Sequence, residues 1–564
     1  QKTNSIVTNV TQLAQRVIEG KLRDMKLSSV TKLGGVALLS AVVLAGCGSK
    51  SSQSTSSKQK LNWMTPAAIS TMDPSKSTDL YSGQTINATG EGLLRMQKDN
   101  KVVPGVAKSY SISKDGKTWT FNLRHSKWSD GSPVTAKDFV FSWQRTVSPK
   151  TASQYAYIFD NIQNATKIEA GKLSPSKLGV KADGDYKLIV HLDKPQSYFK
   201  FMVSQGYYFP EKKAAVNKYG SGYATNAQKN VYNGPFLLKG WTGTNDTWHL
   251  VKNNKYWNAK NIKLKRMNFQ AIKDPATALN SYQSKKLDFT TLNGTQVKQY
   301  KNDKDYHVYK EASTFYLEMN EKKDPIFKNK DIRRALSLAI DRKQFTNKVL
   351  ADGSQVPKGY VADGMSQRNG KDFADEAYVK SAVSYNLAQA KKLWAKGLKE
   401  TGKKNVSLNL LSDDTDTAKR STEFVQSQLN KLPGLKITNS NVPFKNRLSR
   451  SQNGQFDIVI SAWIADYPDP SNFLDLFTSN NSYNNGQWKN SAYDALVKKY
   501  QTTDSNNESA RWNDMVKAEK LIMNDQGIIP LYQQAQSTLM RSKVKGVQFL
   551  PTSPQWDWTK ASVK

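Results

Sequence analysis

Cysteine is all but absent from this sequence: one residue, Cys47, in 564. A lone thiol closes no intramolecular disulfide, so packing has to hold the fold. Histidine is nearly as scarce. The four, His125, His191, His249 and His307, lie far apart without HExxH or equivalent spacing, so no metal site is expected. A phosphate loop is missing as well: Gly116-Lys117-Thr118 imitates the end of one, but Ser111 stands where the leading glycine is required. The S-x-x-K matches at residues 111–114 and 174–177 carry little weight in a chain so rich in serine and lysine. No reactive constellation emerges, and neither catalysis nor a cofactor is expected.

Acidic residues are short too, 47 against 83 Lys plus Arg, for a net charge of +36. Such an excess points to an anionic neighbour. The lysines are scattered along nearly the whole chain and no nucleic-acid motif accompanies them. A cell wall or membrane face is therefore expected, and no nucleic acid. What is plentiful is aromatic bulk: 13 Trp, 25 Tyr and 20 Phe mark a folded body, and the length implies two or three domains.

Near the start, residues 25–46 read as an export signal. Lys26 and Lys32 supply the positive region and residues 33–43 a short apolar run, too short to span a bilayer. The run closes on Leu44-Ala45-Gly46-Cys47, which resembles the lipobox of bacterial lipoproteins, where the cysteine thiol receives diacylglycerol. Residues 47–58, rich in Ser and Lys, suit a flexible tether behind that lipid. The competing reading is an ordinary core cysteine beside an ordinary cleavage site. Residues 1–24 precede the methionine of the signal and are expected to be an upstream extension.

From Leu61 onward strand-like and helix-like segments alternate without a fixed period, which favours a mixed α/β body over a solenoid. Residues 117–124 (KTWTFNLR) alternate as a half-buried strand, and residues 128–131 (WSDG) carry turn chemistry. A helix is predicted over 135–145, with Thr135 as N-cap and Asp138 at the third helical position. Residues 331–342 (DIRRALSLAIDR) place Ile332, Ala335, Leu336, Ala339 and Ile340 on one helical face, with Arg342 closing the end. Residues 385–394 and 508–523 predict two more amphipathic helices.

Four ordered blocks carry a resemblance: residues 115–145 (DGKTWTFNLRHSKWSDGSPVTAKDFVFSWQR); Asn233-Gly234-Pro235-Phe236 with Asn254-Lys255-Tyr256-Trp257; the helix at 331–342; and residues 462–470 (AWIADYPDP). Together they resemble the extracytoplasmic solute-binding proteins of family 5, in particular the oligopeptide-binding (OppA-like) lipoproteins of ABC transporters. The resemblance implies an α/β, two-lobed periplasmic-binding-protein-like fold (type II, large cluster C type) with an extra inserted domain and a hinge. Lobe I would comprise 59–89, 207–312 and 535–564, the inserted domain 90–206, and lobe II 313–534. The chain would cross between lobes near Ser313 and Gln534.

The resemblance also implies a role. Members sandwich an extended peptide between lobes through strand-like backbone hydrogen bonds, with side chains in roomy hydrated pockets. The aspartate of the Ala465-Asp466-Tyr467 motif would hold the peptide ammonium; capping of the turn before Pro468 is its alternative role. Trp463 would wall a side-chain pocket or serve as an interior tryptophan. Tyr155, Tyr316, Phe444, Leu80 and Ala465 fall at ligand-contacting positions. The sequence departs from the pattern where Phe444 replaces a common indole, where Ile460 and Ser451 stand in place of arginines, and where Thr78-Asp79-Leu80 replaces a Glu-Gly-Val-like segment. Fewer basic groups leave the neutralisation of a peptide carboxylate open.

The partners so implied are oligopeptides, ABC permease subunits with separate ATPase subunits, and the membrane through lipid on Cys47. A monomer on the extracytoplasmic face of a Gram-positive cell membrane is expected. A peptide-pheromone receptor, a binder of another solute, a basic adhesin and a cryptic hydrolase stay open as alternatives.

Overall fold

In the strand Thr118–Leu123 every second side chain, Trp119, Phe121 and Leu123, is buried, as its alternation predicts. The structure, a computed structural model, describes residues 59–564. Cys47 and the segments assigned to extension, signal and tether lie outside them. Among the described residues no helix is long and apolar enough to cross a membrane.

After Thr118–Leu123 the chain turns at residues 128–131 and enters the helix Ala136–Val147. There Thr135 N–H donates to the Asp138 carboxylate at 2.8 Å, half of the expected capping box. The helices over 385–394 and 508–523 are present as Leu387–Thr401 and Glu508–Asp525. The helix expected to run to Arg342 spans only Lys330–Leu338. Asp341 then caps a new turn, Arg342–Gln344, by accepting Gln344 N–H at 3.0 Å. Arg342 does not sit at an exposed helix end. Its guanidinium is buried and donates to the carbonyls of Pro530 at 2.6 Å and Ser337 at 3.1 Å, so it ties the break to a neighbouring strand.

Four principal sheets organise the body. One has the strand order Lys60–Thr65, Arg266–Ala271, Thr247–Lys252, Phe236–Lys239, with only the first pair parallel. Beside it in sequence is a three-stranded antiparallel sheet, Phe289–Thr291, Ala535–Met540, Tyr306–Lys310. Their shared core stacks Trp63 on Phe289 at 3.8 Å and sets Trp556 and Trp558 edge-on against Trp63. Residues 90–206 contain a separate antiparallel sheet, Ala107–Ile112, Thr118–Leu123, Lys187–His191, Val180–Ala182. The fourth sheet has the order Leu435–Val442, Val406–Asp413, Ile458–Ile464, Ser313–Met319, Ile529–Tyr532.

Two residues, Glu311 and Ala312, separate Lys310 of the three-stranded sheet from Ser313 of the five-stranded one. Two more, Gln533 and Gln534, carry the chain back from Tyr532 to Ala535. The crossings lie side by side, with Glu311 N–H donating to Gln534 O at 3.1 Å and the Gln533 amide donating to Glu311 O at 3.1 Å. The fold is thus the expected two-lobed α/β type, with its connections gathered at one seam.

Candidate functional site

The strand Ile458–Ile464 pairs with Ser313–Met319 along its whole length. On its other side, Val406–Asp413 pairs with it only at Ile458 and Val459. Residues 460–464 therefore show an unpaired edge there, and they line a cavity of about 330 Å³. An open edge beside a cavity is a template for one more extended strand. Across the cavity lie residues 77–83, 205–207 and 272–275 from the other sheets and their connections.

Asp466 lies two residues beyond this strand and is buried. Its carboxylate accepts from the Tyr155 hydroxyl at 3.3 Å and from the Asn472 amide at 3.2 Å. Asn472 Oδ1 in turn accepts the Asp466 N–H and the Trp463 indole N–H, each at 2.9 Å. One asparagine thus orients both the carboxylate and the indole. The turn is capped by another residue: Asp469 accepts Ser471 N–H at 3.0 Å and is forked by Arg511 at 2.7 and 2.9 Å. No cation pairs with Asp466 among the described residues. Burial pushes its pKa up to about 7, against the pull of Asn472 and Tyr155.

The other predicted residues gather here with one exception. Trp463 meets Tyr483 edge-on at 5.0 Å, and Tyr155 stacks on Tyr207 at 4.5 Å. Tyr316 lies on the cavity wall, braced by Tyr360 and Phe477. Phe444, the first residue of the helix Phe444–Gln452, reaches Tyr81 edge-on at 5.7 Å. Leu80 opens the helix Leu80–Thr89, capped by Asp79, which accepts Ser82 N–H at 2.9 Å. Ala465 does not line the cavity. Its N–H donates to Ala312 O at 2.9 Å and its carbonyl accepts Ser553 N–H at 2.7 Å, so it ties the strand to the seam. Ile460 and Ser451 both line the cavity, so the absence of arginine at these positions is felt there.

Sequence reasoning missed Asn472, Gln154, Tyr207, Tyr483, Lys273 and Arg447. Only Asn472, close behind the AWIADYPDP block, was within reach of a local signal. The rest arrive from distant segments. Several bridge the cavity's two walls: Lys273 pairs with Asp414 at 2.7 Å, and Gln154 exchanges hydrogen bonds with Ser482 at 2.5 and 3.2 Å and accepts from Gln452 at 2.6 Å. These contacts tie the two walls together beside the cavity.

Comparison with known proteins gives a consistent result. The family model described as bacterial extracellular solute-binding proteins, family 5, matches residues 101–485. A dipeptide-binding protein of Lactococcus lactis is 38% identical over 96% of this chain and 100% of its own. The Listeria monocytogenes OppA structure bound to peptide superposes with a TM-score of 0.86 at 40% identity, covering 90% of this chain and 99% of that one. The pheromone receptor PrgZ, solved to show its mode of peptide binding, gives 0.86 at 36% identity over 90% and 100%.

Proposed function

The chain belongs to the bacterial extracellular solute-binding proteins of family 5, and from that premise we propose that it captures oligopeptides between its lobes outside the cell for an ABC importer. The observation that carries this reading is the open strand edge at residues 460–464 running into the buried, uncompensated Asp466. A peptide laid along the edge exchanges main-chain hydrogen bonds whatever its sequence. Its α-ammonium ends at Asp466, where Asn472 and Tyr155 hold the carboxylate in place. The pair is desolvated as the lobes close, which makes the hydrogen bond charge-assisted and strong.

Trp463, Tyr155, Tyr316, Phe444 and Leu80 wall the site, and Ala465 positions the strand. The division into lobe I (59–89, 207–312, 535–564), inserted domain (90–206) and lobe II (313–534) is part of the same reading, supported by the paired crossings at 311–312 and 533–534. These crossings form the hinge. A ligand touching both lobes shifts the open and closed populations toward closure. The protein acts as a monomer without turnover, is tethered through lipid on Cys47, and delivers cargo to a separate permease and ATPase. Likeness to PrgZ supports a second reading, in which the cargo is a signalling peptide.

Isothermal titration with peptides bearing free or acetylated N-termini tests the anchor. Free-amine peptides should bind and acetylated ones should lose at least tenfold, with Asp466→Ala erasing the difference. Equal binding of both sets would overturn the role of Asp466.

A further inference from the structure

The cavity of this basic protein is lined by six carboxylates, Asp79, Glu311, Asp352, Asp413, Asp414 and Asp466, against two cations, Lys273 and Arg447. Both cations are engaged: Lys273 with Asp414 at 2.7 Å, Arg447 with Asp413 at 2.9 Å. Asp79 is committed to its helix cap and to the Ser70 hydroxyl. Asp466 is reserved for the ammonium in the reading above. Glu311 and Asp352 are left, neither with a cation among the described residues.

These two flank the seam. Glu311 lies in the first crossing, 3% exposed, its backbone fixed by Gln534 and Gln533. Its Oε2 accepts the Ser313 hydroxyl at 3.2 Å. The Gln555 amide lies beside it but completes no hydrogen bond, which leaves Oε1 open to a donor. Asp352 follows the helical segment Phe345–Leu350; its carbonyl accepts the Ser537 hydroxyl at 2.6 Å and its carboxylate accepts Ser354 N–H at 3.0 Å. Next to them Phe315 stacks on Tyr532 at 4.5 Å, and both rings line the cavity. A nine-tenths-buried carboxylate with a free oxygen, a second carboxylate close by and a flat aromatic wall form a receptacle for a long cationic side chain. Its methylenes would lie on the rings and its head between the acids.

Resting on the peptide-capture reading, we infer that Glu311 and Asp352 form a side-chain subsite selecting peptides that carry lysine or arginine. The electrostatics agree. The Tyr532 hydroxyl is held above its ordinary range by burial and then by the fields of Asp352, Glu311 and Asp413. Tyr81 is raised by burial and then by Glu311, Asp413 and Asp79, with Arg447 opposing. Burial, with Asp352 adding to it, pushes Glu311 up to about 8. At neutral pH Glu311 therefore carries a proton in the empty cleft and gives it to the buffer when a cationic head arrives.

The test is calorimetric titration at pH 7.0 with free-amine peptides of three to five residues, identical except for one internal position bearing lysine, uncharged norleucine or glutamate. At one position lysine should bind at least ~10-fold tighter than norleucine, and glutamate weaker than both. The lysine peptide should also release more protons than its norleucine twin, read from buffers of different ionisation heat. Glu311→Gln and Asp352→Asn should each shrink the lysine-to-norleucine ratio toward one. A wild-type ratio near one at every position overturns the subsite, as does a ratio surviving both substitutions. Should a variant not fold, the wild-type ratio and proton count still decide. Binding without side-chain preference removes this inference alone; no binding by any peptide removes the capture reading with it.

Discussion

Acidifying the medium from pH 7.5 to 5.5 should loosen the capture of peptides that lack ionisable side chains. The perturbation acts on Asp466, whose pKa in the empty cleft is about 7 because burial disfavours its anion. The peptide ammonium, with an ordinary pKa of about 7.7–8.0, is only partly deprotonated at the upper end of this range and pairs only with the ionised carboxylate. Below pH 7 each binding event must first remove a proton from Asp466, so apparent affinity falls with the ionised fraction. With a pKa of 7 and a fully ionised bound state, the ionised fraction of Asp466 falls roughly 25-fold between pH 7.5 and 5.5; fuller protonation of the peptide amine offsets part of this, and the expected net loss is roughly 15- to 20-fold, about 1.7 kcal/mol. Calorimetry at half-unit intervals measures it, and the Trp463 indole beside Asp466 offers a fluorescence readout of the same curve. Asp466→Asn should bind weakly and with little slope. Affinity that holds or rises on acidification, or a slope that persists in Asp466→Asn, would rule out Asp466 as the titrating anchor.

Three further outcomes follow from the same geometry. Asn472→Ala leaves the buried Trp463 and Asp466 N–H groups unpaired, so urea unfolding should show a loss of about 1–3 kcal/mol for each group not rescued by water, with peptide affinity falling too. Lys273→Met removes a rim ion pair that is half exposed, so it should weaken capture by no more than ~1 kcal/mol, and 1 M salt should abolish the difference. Stability of the unliganded protein should depend on pH in a defined direction. Burial raises Glu311 to about 8 and Asp466, Glu318 and Glu519 to about 7, so the folded chain keeps protons that the unfolded chain releases above its ordinary carboxylate range. Their contribution is most favourable below that range and is lost as pH rises toward 8; thermal scans should therefore give a lower Tm at pH 8 than at pH 6.

Elements governed by local rules were legible in the sequence. The period-two burial of Trp119, Phe121 and Leu123 and the capping pair Thr135 and Asp138 needed no partner beyond their own segment. The early end of Lys330–Leu338 was not legible, because it depends on Asp341 capping a second turn and on Arg342 finding the Pro530 carbonyl of a distant strand. The site divides the same way. Asp466 and Trp463 sit in one quotable block, and resemblance alone pointed to them. Tyr207, Tyr483, Gln154, Lys273, Glu311 and Asp352 come from segments scattered over the chain and converge only when the two sheets fold back at the seam. Ala465 shows the limit of arguing by motif: it shares the block of Asp466, yet its peptide groups hold Ala312 and Ser553, and it does not face the cavity.

Native mass spectrometry of the purified protein with an equimolar pool of free-amine peptides of two to eight residues tests peptide capture most directly. One-to-one complexes are expected, depleted when the same pool is N-acetylated and largely lost in Asp466→Ala. A spectrum in which no peptide is retained at micromolar concentration, or in which acetylated and free peptides are retained alike, would contradict this expectation.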